Sequence, residues 1–506
     1  MANHLFSALF PETHPRARTC LIRPDGAKLT YGVVRRLSAR YAAALAQCGV
    51  KPGDRVAVQV EKSPEALLLY LGSVRAGAAF LPLNTAYTLS EIDYFVGDAK
   101  PSLVVVDPSR REGVAEIAAK HGVKRVDTLA ADGGGSLADL AASRSDVFAD
   151  VDRNPGDLAA ILYTSGTTGR SKGAMLTHEN LSSNAEALIS TWRFTSDDVL
   201  IHALPIFHTH GLFVASNVAL MSGAAMIFLP MFDAGEVMAL MPRASVLMGV
   251  PTFYTRLLDH PGLTRDATAS MRLFISGSAP LLAETHRQFQ RRTGHAILER
   301  YGMTETGMNT SNPYDGDRVP GSVGFPLPGV ELRVTEPESG RPLPTGEVGV
   351  IEVRGPNVFA GYWGMPEKTQ AEFRPDGFFI TGDLGRVDER GYVWILGRGK
   401  DLVITGGYNV YPKEVELEID AIPGVLESAV IGLPHPDFGE AVTAVVVADG
   451  DPPREADMLA ALRDRLAAYK CPKRVIFADA LPRNTMAKVQ KNVLRDRYRD
   501  LYAPRS

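Results

Sequence analysis

The chain has 506 residues, more than one ordinary hydrophobic core accommodates, so two or more domains are expected. Apolar residues make up 45% and charged residues 22%, the profile of a globular protein in water, and a net charge of −4 argues against a broad basic surface for nucleic acid. Cys20, Cys48 and Cys471 are widely spaced and odd in number, which supplies neither a disulfide framework nor a metal spacing and suits a reducing cytoplasm.

The N-terminal stretch lacks the basic start of a secretory signal. Thr30-Tyr31-Gly32 opens a helical pattern through Val34, Leu37, Tyr41, Ala44 and Leu45. Strands are expected at residues 55–60, 79–83 and 103–106, and helices at 63–76 and 90–99, the latter capped by Ser90. Alternating strand and helix predicts α/β architecture with parallel sheets. Residues 130–153, rich in Gly, Ala, Ser and Asp, read as a surface connection.

Leu158–Leu162 is an apolar strand, and YTSGTTGRSKG follows at residues 163–173. Hydroxyls of Thr164, Ser165, Thr167 and Thr168, with amides freed by Gly166 and Gly169, can converge on an anion. Arg170 and Lys172 add the positive charge that a polyphosphate attracts. A generic Ser/Gly run is more often a surface loop, and this one does not fit the Walker pattern. A cap at residues 177–180 leads into a helix from about Leu181. Residues 199–232 contain no Asp, Glu, Lys or Arg, but His202, Pro205, His208, His210 and Asn217 fit a core layer broken by turns better than a bilayer helix.

Residues 274–280, FISGSAP, read as a strand ending in a small-residue turn that lets a flat ring approach the backbone. In ERYGMTETG, residues 299–307, Tyr301 offers a stacking face, Thr304 a hydroxyl and Glu305 a hard carboxylate suited to Mg²⁺. Gly382-Asp383 is placed at a strand end after residues 378–380. Gly397-Arg398-Gly399-Lys400-Asp401 makes a poor core element and a plausible hinge. Beyond it the pattern is small and α+β: strands at 402–405, 425–431, 442–447 and 475–477, helices from 412–419 and 456–468, and a turn at Gly406-Gly407.

Taken together, these motifs resemble, in order and along essentially the whole chain, the adenylate-forming superfamily of acyl-CoA synthetases, luciferases and adenylation domains. The resemblance implies a large N-terminal domain, 1–398, of stacked, mostly parallel sheets with helices. It implies a hinge at 399–401 with Lys400 as pivot, and a small mobile α+β C-terminal domain, 402–506. It assigns ATP to Thr164 through Gly169, Lys172, Ser278, Ala279, Pro280, Glu299, Tyr301, Gly302, Thr304, Asp383 at the ribose, and Arg398. His208 would line the acyl pocket, Glu305 hold Mg²⁺, and Gly406 and Gly407 line the channel for CoA. Lys488 matches the adenylation lysine by its spacing from Pro482. Ala487 replaces the usual glycine before it, and Lys491 is the nearby competitor.

The implied chemistry is attack of a carboxylate on the α-phosphorus of ATP, then of a thiol on the acyl-adenylate. For the acid, Arg300 and Arg256 are suggestive, because a buried guanidinium requires an anion. Either is equally an ordinary structural ion pair or exposed side chain. The surrounding segments resemble malonyl-CoA synthetases, which ranks a dicarboxylate first: malonate, then methylmalonate, held by Arg300, Arg256 and Ser278. The alternatives are a short-chain monocarboxylate ligase, an amino-acid adenylation domain, which would want an acidic residue at 207–212, and a nucleotide-binding homologue without ligase activity. Lys488 is also a candidate for control by a protein lysine acetyltransferase and deacetylase, since acetylation removes its charge.

Overall fold

The computed structural model describes residues 3–164, 171–405, 408–466, 468–484 and 488–503. They divide into two compact units. The first comprises Met1–Pro320, Gly324–Glu331 and Val353–Phe379, and the second Gly321–Val323, Leu332–Glu352 and Ile380–Ser506.

Two large sheets build the first unit. Among the described residues, one has nine strands whose centre is parallel: Thr19–Ile22, Ala225–Phe228, Val199–His202, Val246–Gly249, Leu273–Ser276 and Leu298–Met303 lie side by side. The other has six, with Arg55–Gln59 and Ala79–Pro82 central and Lys172–Thr177 antiparallel at its edge. Residues 55–59, 79–82 and 103–106 are almost wholly buried, as parallel strands covered on both faces must be. The helix Tyr31–Gln47 starts on a Thr30 cap, and Pro64–Arg75 on a Ser63 cap.

Several local expectations shift. The helix Leu89–Ala99 is capped by Thr88, not Ser90, because Thr88 and Glu91 close a reciprocal capping box. The supposed surface connection contains the helix Ser136–Ala142. The helix expected from about Leu181 begins at His178 on a Thr177 cap, and the strand Lys172–Thr177 precedes it. The uncharged stretch 199–232 is two core strands joined through a π-helical turn, His210–Ser216, and a short helix. No helix among the described residues is long and apolar enough to cross a membrane.

In the second unit the strand residues 332–335, 349–352, 380–387 and 393–398 follow one another across a sheet. Asp383 lies inside the third of these strands rather than at a strand end. The last hundred residues form a sheet around the long hairpin Val425–His435 and Gly439–Ala448, with helices Pro412–Asp420 and Glu455–Arg463. The second of those helices ends well before residue 468.

Candidate active site

Thr164 and Lys172 face each other across the hairpin Leu158–Thr164 and Lys172–Thr177. The two ends of the segment expected to meet phosphate are therefore on paired strands. Ser165, Gly166, Thr167, Thr168, Gly169 and Arg170 lie outside the described residues. Lys172 Nζ is 3.4 Å from Glu372 Oε1.

The parallel strands Leu273–Ser276 and Leu298–Met303 run side by side and deliver two expected segments together. Gly277 continues the first strand, and a β-carbon there would stand 2.5 Å from Arg300 Cζ. Only glycine lets this backbone lie on that guanidinium. Ser278 follows with φ of +71°, a left-handed conformation costing a non-glycine residue roughly 1–2 kcal/mol. That turn brings Ser278 Oγ to 3.2 Å from His210 Nδ1. Ala279 is half-buried and Pro280 exposed, continuing the same turn.

Arg300 is 3% exposed, and its Nε and one terminal nitrogen find no hydrogen-bond acceptor among the described residues. Burial lowers its guanidinium to about 9, still cationic at neutral pH. His210 is buried too, and its Nε2 has no hydrogen-bond partner there either. Burial first, and then the charge of Arg300, hold this imidazole neutral. A buried cation with open donors beside a neutral imidazole is a cradle for an anion. Arg256 differs: it is exposed on the helix Pro251–Asp259, whose Tyr254 and Leu257 face inward.

Residues 299–307 form a tight antiparallel hairpin, Leu298–Met303 against Gly307–Ser311. Gly302 is required at its crossing, since a β-carbon would meet the Gly307 carbonyl oxygen at 2.1 Å. Glu299 is buried and accepts from the Leu281 amide at 3.1 Å. Tyr301 is half-buried, and Thr304 lines a small cavity with Thr209 and Phe213. Glu305 is buried, with Tyr362 Oη 3.1 Å from its Oε1. His208 is half-buried, and its Nδ1 accepts from the His210 amide at 3.3 Å.

Glu305 is a hard oxygen donor of the kind that Mg²⁺ takes. No cluster of three ligating side chains occurs among the described residues, and Mg²⁺ characteristically takes one or two carboxylates and fills its octahedron with water and phosphate oxygens.

In the second unit Asp383 and Arg398 are cross-strand partners, with Nε 2.6 Å from Oδ1, and Asp383 is buried. Lys400 sits in a single turn, Gly399–Asp401. Gly406 and Gly407 lie outside the described residues. Lys488 is exposed, its amide bonded to Asn484 Oδ1 at 3.0 Å. Lys491 is engaged elsewhere, 2.5 Å from buried Glu416.

The model of the AMP-binding enzyme family matches residues 9–363, and that of the AMP-binding enzyme C-terminal domain matches residues 414–488. The chain belongs to the AMP-binding enzymes. Among solved relatives, ATP-bound MatB from Rhodopseudomonas palustris is 65% identical and superposes with a TM-score of 0.97, covering 99% of this chain and 100% of its own. A feruloyl-CoA synthase from an Amycolatopsis species is 38% identical over 94% of this chain and 95% of its own length. A malonate–CoA ligase from Arabidopsis thaliana is 34% identical over 98% and 90%. Three residues that local sequence did not single out contact the candidate residues of this AMP-binding enzyme: His210, Tyr362 and Glu372. His210 carried a signal, a second histidine in an uncharged run. Tyr362 and Glu372 carried none, because Glu305 and Lys172, the partners that bring them here, lie 57 and 200 residues away.

Proposed function

We propose that this AMP-binding enzyme joins malonate to coenzyme A in two steps through malonyl-adenylate, releasing AMP and pyrophosphate, with methylmalonate as a second acid. The observation that carries the choice of acid is Arg300, a buried guanidinium whose open donors suit the distal carboxylate of a dicarboxylic acid. Ser278 and His210 border the same place, and Arg256 is the second candidate partner. The malonate–CoA ligases among its relatives agree with this reading.

In the first step an oxygen of the reacting carboxylate bonds to the α-phosphorus of ATP and the bond to pyrophosphate breaks. The protein must bring one anion against another, so its contribution is charge and position. Lys488 bridges the carboxylate and α-phosphate oxygens. Lys172, Thr164 and the loop between them hold the outer phosphates. Glu299, Tyr301, Gly302, Thr304 and the turn Ser278–Pro280 frame the adenine, and Asp383 and Arg398 serve the ribose and phosphate. Glu305 would hold Mg²⁺, which supplies neutralisation of phosphate charge.

In the second step the thiol sulfur of CoA bonds to the acyl carbon and AMP leaves with the electron pair. Gly406 and Gly407 line its channel, His208 borders the acyl group, and Lys400 is the pivot of the hinge at 399–401. The three free cysteines fit a cytoplasmic setting. Acetylation of Lys488 by a protein acetyltransferase would switch the first step off.

The test is pyrophosphate release with malonate, methylmalonate, acetate, propionate and ferulate, each with and without CoA. Malonate should give the highest kcat/KM. Preference for a monocarboxylate overturns the acid assignment, ADP formation overturns the mechanism, and no turnover with any acid favours a non-catalytic nucleotide-binding role.

A further inference from the structure

Tyr362 and Glu372 tie the phosphate-binding strand to Glu305, and the reaction steps above use neither. Tyr362 Oη lies 2.7 Å from Glu372 Oε2 and 3.1 Å from Glu305 Oε1. A phenol has one proton, so it donates to one of these carboxylates at a time. Burial and the two carboxylates push the phenol far up, which keeps it a donor.

The other oxygen of Glu372 meets two cations. Lys368 Nζ is 2.7 Å from Oε1 and Lys172 Nζ is 3.4 Å from it. Lys172 Nζ also rests 4.4 Å from the centre of the Tyr362 ring. The side chains of Lys172 and Glu372 are only 17% and 20% exposed, so their attraction is not screened as a surface pair's would be. Lys172 thus occupies a defined seat: a carboxylate at its side and an aromatic face beneath it.

We propose that Glu372 and Tyr362 are this seat and compete with polyphosphate for Lys172, giving it up as polyphosphate binds and taking it back as pyrophosphate leaves. The inference rests on Lys172 being a phosphate contact. A lysine that turns toward phosphate gives up its contact with Glu372. A contact made better by the free state than by the bound state subtracts from affinity. Lys368 also pairs with Glu372, so the departure of Lys172 does not strand a half-buried carboxylate. Glu372 therefore weakens polyphosphate binding and speeds pyrophosphate release, acting through Lys172 as a positioning residue. Tyr362 fixes where the Glu372 carboxylate points.

The experiment is calorimetric titration of the full-length enzyme with inorganic pyrophosphate, in the absence of acid and CoA. Glu372→Gln keeps the shape and removes the charge. It should tighten pyrophosphate binding roughly three- to tenfold. Lys172→Ala should weaken binding, and in that background Glu372→Gln should change affinity by less than about twofold. Glu372→Asp, which shortens the reach to Lys172, should tighten binding less than Glu372→Gln and covers the case in which the amide variant fails to fold. Unchanged or weaker binding in both Glu372 variants overturns the proposal. So does equal tightening in the Lys172→Ala background, which would make Glu372 a simple repulsive charge. Unchanged affinity in Lys172→Ala overturns the phosphate reading of Lys172 and the seat together. Malonate takes no part in the titration, so an error in the acid assignment leaves these outcomes intact.

Discussion

Gly277 lies directly against the Arg300 side chain: a β-carbon on Gly277 would lie 2.5 Å from the Arg300 Cζ. The guanidinium is thereby pinned between two neighbouring strands with donors left open. Arg300→Ala should cost malonate about 2–5 kcal/mol in kcat/KM, because a substrate carboxylate is left buried without its partner. Acetate and propionate should lose far less. Gly277→Ala should reproduce the same acid-selective loss in part by displacing the guanidinium. Steady-state kinetics on the three acids decides it: equal losses on all would make Arg300 structural. Arg256→Ala in the same assay assigns the second arginine, since an acid-selective loss there would make it a partner of the same carboxylate.

For Lys488 the two half-reactions are the readout. Lys488→Ala, or acetylation of Lys488, should slow adenylate formation on the order of 10²–10³-fold or more, the scale for loss of a single charged contact to a transition state. Thioester formation from preformed malonyl-adenylate should be largely spared. Rapid-quench measurement of each step separates this from a docking role, in which both would fall together.

Asp420 ends the helix Pro412–Asp420 with one oxygen bonded to Ser428 Oγ at 2.7 Å and the other buried without a hydrogen-bond partner among the described residues. Burial raises its carboxyl from 3.8 to about 6. The folded state therefore holds the proton more tightly than the unfolded chain does. The stability this contributes is complete below about 3.8 and is lost as pH rises through about 6. At neutral pH the buried charge costs roughly 3 kcal/mol. Asp420→Asn should raise the unfolding midpoint above pH 6 and give no advantage below pH 4. A pH-independent gain in Tm would contradict this.

His178 shows the opposite sign. It is fully buried and its Nδ1 accepts from the Leu5 amide at 3.2 Å. Burial, and then the charge of Arg153, lower it from 6.5 to about 4. Its contribution is present above 6.5 and lost as pH falls through about 4, roughly 3 kcal/mol in all. His178→Asn, which keeps an acceptor, should flatten that part of the stability profile. An unchanged slope of unfolding free energy between pH 6.5 and 4 would rule the histidine out.

The sequence by itself determined the family, the alternating architecture of the large unit and most of its elements. Those depend on short-range patterns: apolar runs for buried strands, hydroxyl caps for helices, glycines where backbones cross. Where two local signals competed, it was less decisive. Thr88 and Ser90 both offer a cap, and only Thr88 has Glu91 at the reciprocal position. The strand Lys172–Thr177 was hidden behind a glycine-rich loop, because its identity comes from pairing with Leu158–Thr164.

Only the tertiary structure decided which ionisable groups have partners. Arg300 and Arg256 sit in similar apolar surroundings along the chain, yet one is buried with open donors and the other faces water. Lys491 finds buried Glu416 across 75 residues. Lys172 finds Glu372 across 200 residues. Charge and desolvation act through space over a few ångströms, so the chemistry of these side chains depends on neighbours that local sequence does not reveal.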